Sequence, residues 1–310
     1  MILNAGQRTD IPGFFSRWFI NRVKEKFVFV RSPYAPQQLL RYRIEPEVVD
    51  ILSFCTKNPA PMLPHLEYIR RFPQIWQVTI TPYGKEIEPG VPEKSDVIKA
   101  FQALSMRVGA NACIWRYDPV FLSETYSAAF HREAFAKLAC TLRGFTTVCV
   151  VSFIDLYEKT KRNFPQAEEV PFSVQRELTA FFAETAADCG MRLKLCAETP
   201  ALADCGADVS GCLTQAAAET AVGFPLAVPA SACRARKACA CLLGGDIGEY
   251  NSCPHGCLYC YANADKELVR SRFARHNPDS PLLIGVPNPG DIIRNAEQHR
   301  WRLPQTLLPL

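Results

Sequence analysis

The sequence predicts an α/β protein built on a (β/α) barrel, TIM-like or partial, with a cysteine-rich cluster loop and a proline-rich tail at its C-terminal end. Three observations predict it. Short β-branched and aromatic runs alternate with amphipathic stretches six or seven times, the pattern of parallel strands joined by helices. Charged or turn-forming residues follow nearly every apolar run. The chain has 310 residues, 48% of them hydrophobic, and no Gly/Ser linker, so a closed or nearly closed barrel suits it better than an open sheet. Residues 1–230 would form the barrel body. Residues 231–310 would be a cysteine-rich segment packed on the same barrel, within one structural domain.

The elements follow in order. Residues 2–5 are a short apolar strand, and Pro12 opens a helix that puts Phe14, Phe15, Trp18, Phe19 and Val23 on one face. FVFVR at 27–31 reads as the second strand and VDILSF at 49–54 as the third. A helix over 62–71 leads to strand 75–81, IWQVTIT. Ser95 caps a helix carrying Ile98, Phe101, Leu104 and Val108, which Gly109 stops. Strand 111–115 ends in Arg116-Tyr117-Asp118-Pro119, and helix 127–143 follows. Strand 146–154 delivers Asp155. Ser173 caps a helix closed by Gly190, and strand 191–196 delivers Glu198. Beyond it, the spacing predicts a helix near 214–222, a short strand at 224–229 and a helix over 262–275. The proline-rich stretch from Pro278 to Pro309 reads as an extended strap over the barrel.

The net charge of +4 is small and no basic run is interleaved with aromatics, which gives nucleic-acid binding no electrostatic support. No stretch approaches the apolar length of a membrane span, and the N-terminus becomes charged too early for a signal peptide. These features predict a cytoplasmic protein. Of the 14 cysteines, six fall between Cys233 and Cys260. The earlier ones sit singly in apolar surroundings, where a cysteine is most often a small hydrophobe.

The densest chemistry lies in YNSCPHGCLYCYAN, residues 250–263, where Cys253, Cys257 and Cys260 form C-x3-C-x2-C with Tyr259 before the last. Three thiolates on a tight loop can converge on one metal centre. A [4Fe-4S] cluster held by three cysteines keeps one iron open to a small molecule. A zinc knuckle is the plainer alternative. Cys239 and Cys241 form a C-x-C pair upstream, and one of them is a candidate fourth ligand that would close the cluster. They could equally belong to a second metal site with Cys233, or with Cys205 and Cys212, or be buried small residues. His255 reads as a packing residue, and Asp246 and Gly248 as contacts to a bound nucleoside or as shapers of the loop.

The spacing and aromatic resemble the cluster loop of the radical S-adenosylmethionine enzymes, and the longer context looks most like the spore photoproduct lyase-like branch. The resemblance implies a [4Fe-4S] cluster on Cys253, Cys257 and Cys260, with S-adenosylmethionine on the open iron and Tyr259 beside the cofactor. It also implies reductive cleavage to a 5′-deoxyadenosyl radical, fed by a reductant such as a ferredoxin or flavodoxin. Here the loop comes late instead of after the first strand. A closed barrel has no preferred starting strand, so the strand before the loop can sit beside the first. RTDIP, TKNP, TPYGK, WRYDP and the late CPHGCLYCYAN together resemble an uncharacterised bacterial family over nearly the whole chain. That resemblance implies a fold and no substrate.

In a parallel barrel the functional face is the C-terminal end of the strands. The candidates there are Arg8, Asp10, Lys57, Tyr83, Arg116, Asp118, Asp155 and Glu198, which would hold a small substrate. Turn capping and mutual Arg–Asp pairing are the bland readings of the same residues. A non-catalytic barrel, stapled by a closed Fe–S or zinc site and binding a small anion, is the alternative to an enzyme. DNA repair by analogy is a weaker one.

Overall fold

The computed structural model describes residues 1–233 and 240–303. Its main sheet has seven parallel strands: β1 (Ile2–Ala5), β4 (Ile51–Thr56), β5 (Gln74–Thr79), β6 (Cys113–Val120), β7 (Val148–Phe153), β8 (Arg192–Leu195) and β9 (Gly245–Asp246). Their order is β8-β7-β6-β5-β4-β1-β9. Between β1 and β8 each strand lies beside the next one of this sheet in sequence. After β8 the chain returns to the far side of β1 as β9, an order that fits an open doubly wound sheet as well as a partial barrel. The strand before the cysteine loop does lie beside the first, since Leu3 pairs with Gly245 and Asn4 with Asp246. Among the described residues no ladder joins β8 to β9, so closure into a complete barrel is not seen.

Strand alternation gives the sheet two unlike faces. Leu52, Phe54, Trp76, Val78, Trp115 and Tyr117 point to the helical layer, which includes α1 (Ile11–Phe14), α2 (Ser16–Glu25), α3 (Leu66–Ile69), α4 (Lys94–Val108), α5 (Ala128–Leu142), α6 (Glu158–Asn163) and α7 (Phe172–Asp188). Phe19 of α2 meets Phe54 edge-on at 5.4 Å. Phe135 of α5 stacks on Phe182 of α7 at 4.2 Å and on Trp115 at 5.0 Å, anchoring both helices to β6. On the other face the paired registers align Ile2, Ile51 and Ile75 near the strand starts. Further along they align Asn4, Asp246, Ser53, Cys55, Gln77, Thr79, Arg116 and Lys194, with Asp118 and Ser152 toward the C-terminal ends. That face is apolar at one end and polar at the end where ligands bind in parallel sheets. Helix α8 (Gln215–Val222) packs against β5, and α9 (Lys266–Ala274) follows the cysteine loop.

FVFVR is not a strand of the main sheet. It forms β2 (Phe27–Arg31), antiparallel to β3 (Gln38–Arg43), and β10 (Ile292–Asn295) adds to β3 in a separate three-stranded sheet. The connection between β2 and β3 is too short for a parallel crossover, which takes a dozen residues or more, so a hairpin forms. Strand β6 runs on through Val120, so Arg116 and Asp118 project from the strand itself instead of a loop after it. The segment at 62–71 is a 3₁₀ turn, Ala60–His65, followed by the single turn α3, because Pro64 has no N–H to continue an α-helix. Residues 224–229 form no strand, only an isolated bridge from Leu226 to Arg302. The proline-rich stretch packs against α2 and near the N-terminal ends of β1 and β4. The indole N–H of Trp18 donates to the Ser280 carbonyl at 2.9 Å, and the backbone N–H of Trp301 donates to Asp50 beside Met1.

Candidate functional site

The cysteine loop leaves β9 at the polar end of the sheet and is tied to three neighbouring loops. Asp246 sits beside Arg8 at 3.3 Å and accepts the Gly248 N–H at 2.6 Å. Arg8 also donates to the Asp246 carbonyl and lies over the Tyr250 ring. The ring nitrogens of His255 face Asp10 Oδ2 at 2.7 Å and the Gly90 carbonyl at 3.1 Å, and Gly90 N–H returns a bond to the His255 carbonyl at 2.8 Å. A Cβ on Gly90 would lie 2.7 Å from the Pro254 carbonyl oxygen, so only glycine permits this approach. Leu258 N–H donates to the Ile87 carbonyl at 3.0 Å, and Tyr261 OH donates to the Gln7 carbonyl. Gly256, at φ +67°, makes the turn between Cys253 and Cys257.

Burial pushes all three loop thiols up, Cys257 to about 12. The charged forms also repel one another: Cys253 feels Cys260 and Cys257, and Cys257 feels Cys260. Without a cation among them the three are therefore protonated at neutral pH, and a bound metal centre would displace those protons. This donor set suits an iron–sulfur cluster chemically. Lys57 and Lys94, which lower Cys257, would offset the charge of its thiolate. Among the described residues, no three Cys, His, Asp or Glu side chains form a ready cage for one ion.

Both lysines meet on Glu88, which the sequence reading passed over. Glu88 Oε1 accepts Lys57 Nζ and Thr81 Oγ1, each at 2.7 Å, and also the Tyr259 hydroxyl, while Oε2 accepts Lys94. Burial raises its carboxyl, but Lys57 and Lys94 outweigh that and hold it at about 2. The group carries two ammoniums against one carboxylate, one net positive charge beside Cys257. Glu88 lies in a loop of mixed charge, and nothing local distinguishes it from Glu86 or Glu93.

The other candidates divide into two sets. Asp10 accepts N–H groups from Gly13 and Lys57, both at 2.8 Å, besides facing His255, so its lone pairs serve to hold three loops together. Tyr83 is buried in an aromatic cluster with Phe121 and Tyr126, and its hydroxyl donates to the Pro119 carbonyl at 2.7 Å. Arg116, Asp118 and Glu198 belong to the polar face. Arg116 donates to Asp118 and to Gln77, and Ser152 donates to Asp118. Asp155 interacts with Tyr157 through its hydroxyl at 2.8 Å, farther out on the same rim. Cys241 lies with Cys212 at 3.4 Å, and Cys239 lies outside the described residues. The residues missed on the polar face, including Asn4, Ser53, Gln77, Ser152 and Lys194, are single polar residues inside apolar runs.

Burial, reinforced by Asp155 and Asp118, pushes the Glu198 carboxyl up to about 7, although its Oε1 accepts the Phe153 N–H at 2.8 Å. The folded chain then binds this proton more tightly than the unfolded chain. Its contribution favours folding at low pH and is lost as pH rises from about 4.3, the ordinary glutamate value, through about 7. Glu198→Gln is expected to flatten that part of the stability profile. Urea midpoints measured across the window check it, and identical slopes in the two proteins would rule it out.

A cavity of about 450 Å³ adjoins the loop, bordered by Gly90, Cys253, Cys257, Asn263, Lys266 and Phe273. Asn263 Nδ2 donates to the Cys253 carbonyl at 2.8 Å, while its buried Oδ1 has no partner among the described residues. An acceptor left without a donor at a cavity wall suits a ligand that brings one.

Residues 2–262 match the family model described as Domain of unknown function (DUF1848). No curated protein matches the chain.

Proposed function

This chain belongs to the DUF1848 family, and on that premise we propose that it is an iron–sulfur enzyme of the radical S-adenosylmethionine type acting on a small substrate. The observation that carries the proposal is the placement of three thiols, Cys257 buried and Cys253 and Cys260 half-buried, on a braced loop at the polar end of a parallel sheet. Cys253, Cys257 and Cys260 would hold a [4Fe-4S] cluster. When bound, such a cluster supplies one-electron chemistry to a molecule on its open iron, here S-adenosylmethionine. The polar face, read as the inside of a partial (β/α) barrel, would hold the substrate.

The chain's own groups have distinct parts in this reading. His255 and Asp10 orient the loop. Lys57 and Lys94 stabilise negative charge near Cys257, and Tyr259 stands between the loop and Glu88. Arg116 and Lys194 provide cationic contacts for an anionic substrate group, and Glu198, whose carboxyl is pushed up to about 7 and is part-protonated at neutral pH, presents a proton near Asp118. The aromatic cluster of Tyr83, Phe121, Tyr126 and Phe164 covers the strand ends and keeps water from them. No helix among the described residues is long and apolar enough to cross a membrane. A cytoplasmic setting, with electrons from a ferredoxin or flavodoxin, fits this chemistry.

Low-temperature EPR of anaerobically reconstituted, reduced protein tests the proposal. A [4Fe-4S]⁺ signal whose g-values shift when S-adenosylmethionine is added is the expected result. A cluster signal indifferent to the addition overturns the open-iron assignment. Zinc binding without any cluster overturns the iron–sulfur reading and supports a zinc-stapled barrel.

A further inference from the structure

Three cysteines outside the loop meet at the other side of the polar face. Cys196 follows β8, with its N–H bonded to the Val151 carbonyl at 2.9 Å. Its sulfur lies 3.7 Å from that of Cys212, and Cys212 lies 3.4 Å from Cys241. The segments are held together by more than sulfur. Asp208 bridges to Lys194 of β8, Leu242 N–H donates to the Leu213 carbonyl at 2.9 Å, and Leu213 N–H donates to Cys241 Sγ at 3.3 Å. A cysteine serving only as a small hydrophobe packs on carbon. Here each thiol has another thiol as its polar neighbour.

We infer that Cys196, Cys212 and Cys241 form a thiol–disulfide relay, with the half-buried Cys196 as its outer member and the buried Cys212–Cys241 pair as its store. The order follows from access and contact. Cys196 is partly exposed, Cys212 and Cys241 are buried, and Cys212 touches both of the others. Free, both outer thiols hold their protons at neutral pH: hydrogen bonding to Cys212 and burial push Cys196 far up, and Cys212 is raised as well. Arg116 opposes that rise in both without overcoming it, so exchange beside the substrate face runs through a small thiolate fraction and quickens as pH rises.

The steps balance with a small disulfide, RSSR, as oxidant. Cys196 attacks it, forming a mixed disulfide and releasing one RSH, which takes the Cys196 proton. Cys212 attacks the Cys196 sulfur, forming Cys196–Cys212 and releasing the second RSH with the Cys212 proton. Cys241 then attacks Cys212, forming Cys212–Cys241 and returning its proton to Cys196. The sum is RSSR and two protein thiols giving one protein disulfide and two RSH. The forward direction thus delivers two electrons to RSSR, and the reverse takes two electrons from two RSH into the protein disulfide. Cys241, a candidate fourth cluster ligand by its spacing, lies with Cys212, and the proposed cluster uses only Cys253, Cys257 and Cys260, so relay and cluster stand or fall separately.

The test is titration of the full-length protein with oxidised glutathione, before and after cluster reconstitution, followed by thiol blocking and peptide mass analysis. Wild type is expected to yield a Cys212–Cys241 linked peptide, two hydrogens lighter than the separate peptides. Cys212→Ser should lose that link and trap glutathione on Cys196, while Cys241→Ser should stop at Cys196–Cys212. Circular dichroism of the two variants confirms that each folds. A link from Cys241 to Cys239, or glutathione adducts without any link among the three, would overturn the assignment.

Discussion

Glu88→Ala is expected to destabilise the protein by about 3–5 kcal/mol, the range for breaking a buried ion pair from one side. The carboxylate is 1% exposed and stands between two ammoniums, so its removal leaves both without their anion. The lysines are not held equally. Both are opposed by burial, but Glu88 raises Lys57 above its ordinary value while Lys94 remains below its own. The uncompensated charge in the variant therefore falls mainly on Lys57, beneath the Tyr259 ring. Glu88→Gln keeps the shape and the Tyr259 and Thr81 contacts, and should lose less. The pH dependence has a definite sign. The folded pKa, about 2, lies below the unfolded value, so this stabilisation is present above about pH 4.3 and is lost as pH falls through about 2. Urea unfolding at neutral pH and in acid measures both effects. A loss below about 1 kcal/mol in the alanine variant, the level of a surface ion pair, would mean that solvent reaches the pair and that the buried-charge argument is wrong.

The parts legible in the sequence were those written in short-range spacing. Cys253, Cys257 and Cys260 lie within one loop, so their proximity needs no tertiary knowledge. That a strand before the cysteine loop can sit beside β1 follows from the logic of a parallel barrel, but the sequence predicts that strand at 224–229 and does not foresee β9 (Gly245–Asp246). Arg116 and Asp118 read from the sequence as candidates in a loop, because Pro119 reads as ending a strand that in fact continues through it. The hairpin of β2 and β3 was missed since QLLRYR at 38–43 carries too many polar residues to read as a buried strand, and it is in fact an outlying one. The polar face was invisible for a different reason. Asn4, Ser53, Gln77 and Lys194 are each one residue in an apolar run, and only the ladder registers reveal that they share a side. Glu88 and the Cys196–Cys212–Cys241 contact depend on loops meeting from distant parts of the chain. No local pattern encodes that.

Asp10→Ala is expected to cost about 3 kcal/mol, from leaving two part-buried N–H donors and the buried His255 ring without their acceptor at about 1 kcal/mol each, the low end for a lost partner, and to impair cluster assembly more than folding. Asp10 Oδ2 receives the Lys57 N–H at 2.8 Å and faces His255 Nε2 at 2.7 Å, while Oδ1 caps the turn at Gly13. Three chain segments therefore share one carboxylate: the loop after β1, the loop after β4 and the cysteine loop. His255 lies between Cys253 and Cys257, so loosening its ring loosens the stretch that sets their separation. Gly90 still holds the ring through Nδ1 and the backbone through the His255 carbonyl, and Ile87 holds Leu258, so the variant loosens the stretch at Nε2 without releasing the loop. Asp10→Asn retains an acceptor for one donor and should fall between wild type and alanine in both stability and iron content. Urea unfolding of the cluster-free proteins gives the first quantity, and iron bound per chain after reconstitution gives the second. A variant that is destabilised yet loads iron fully would reduce Asp10 to a fold residue. One that keeps its stability but loses iron would make its contact with His255 specific to the cluster site.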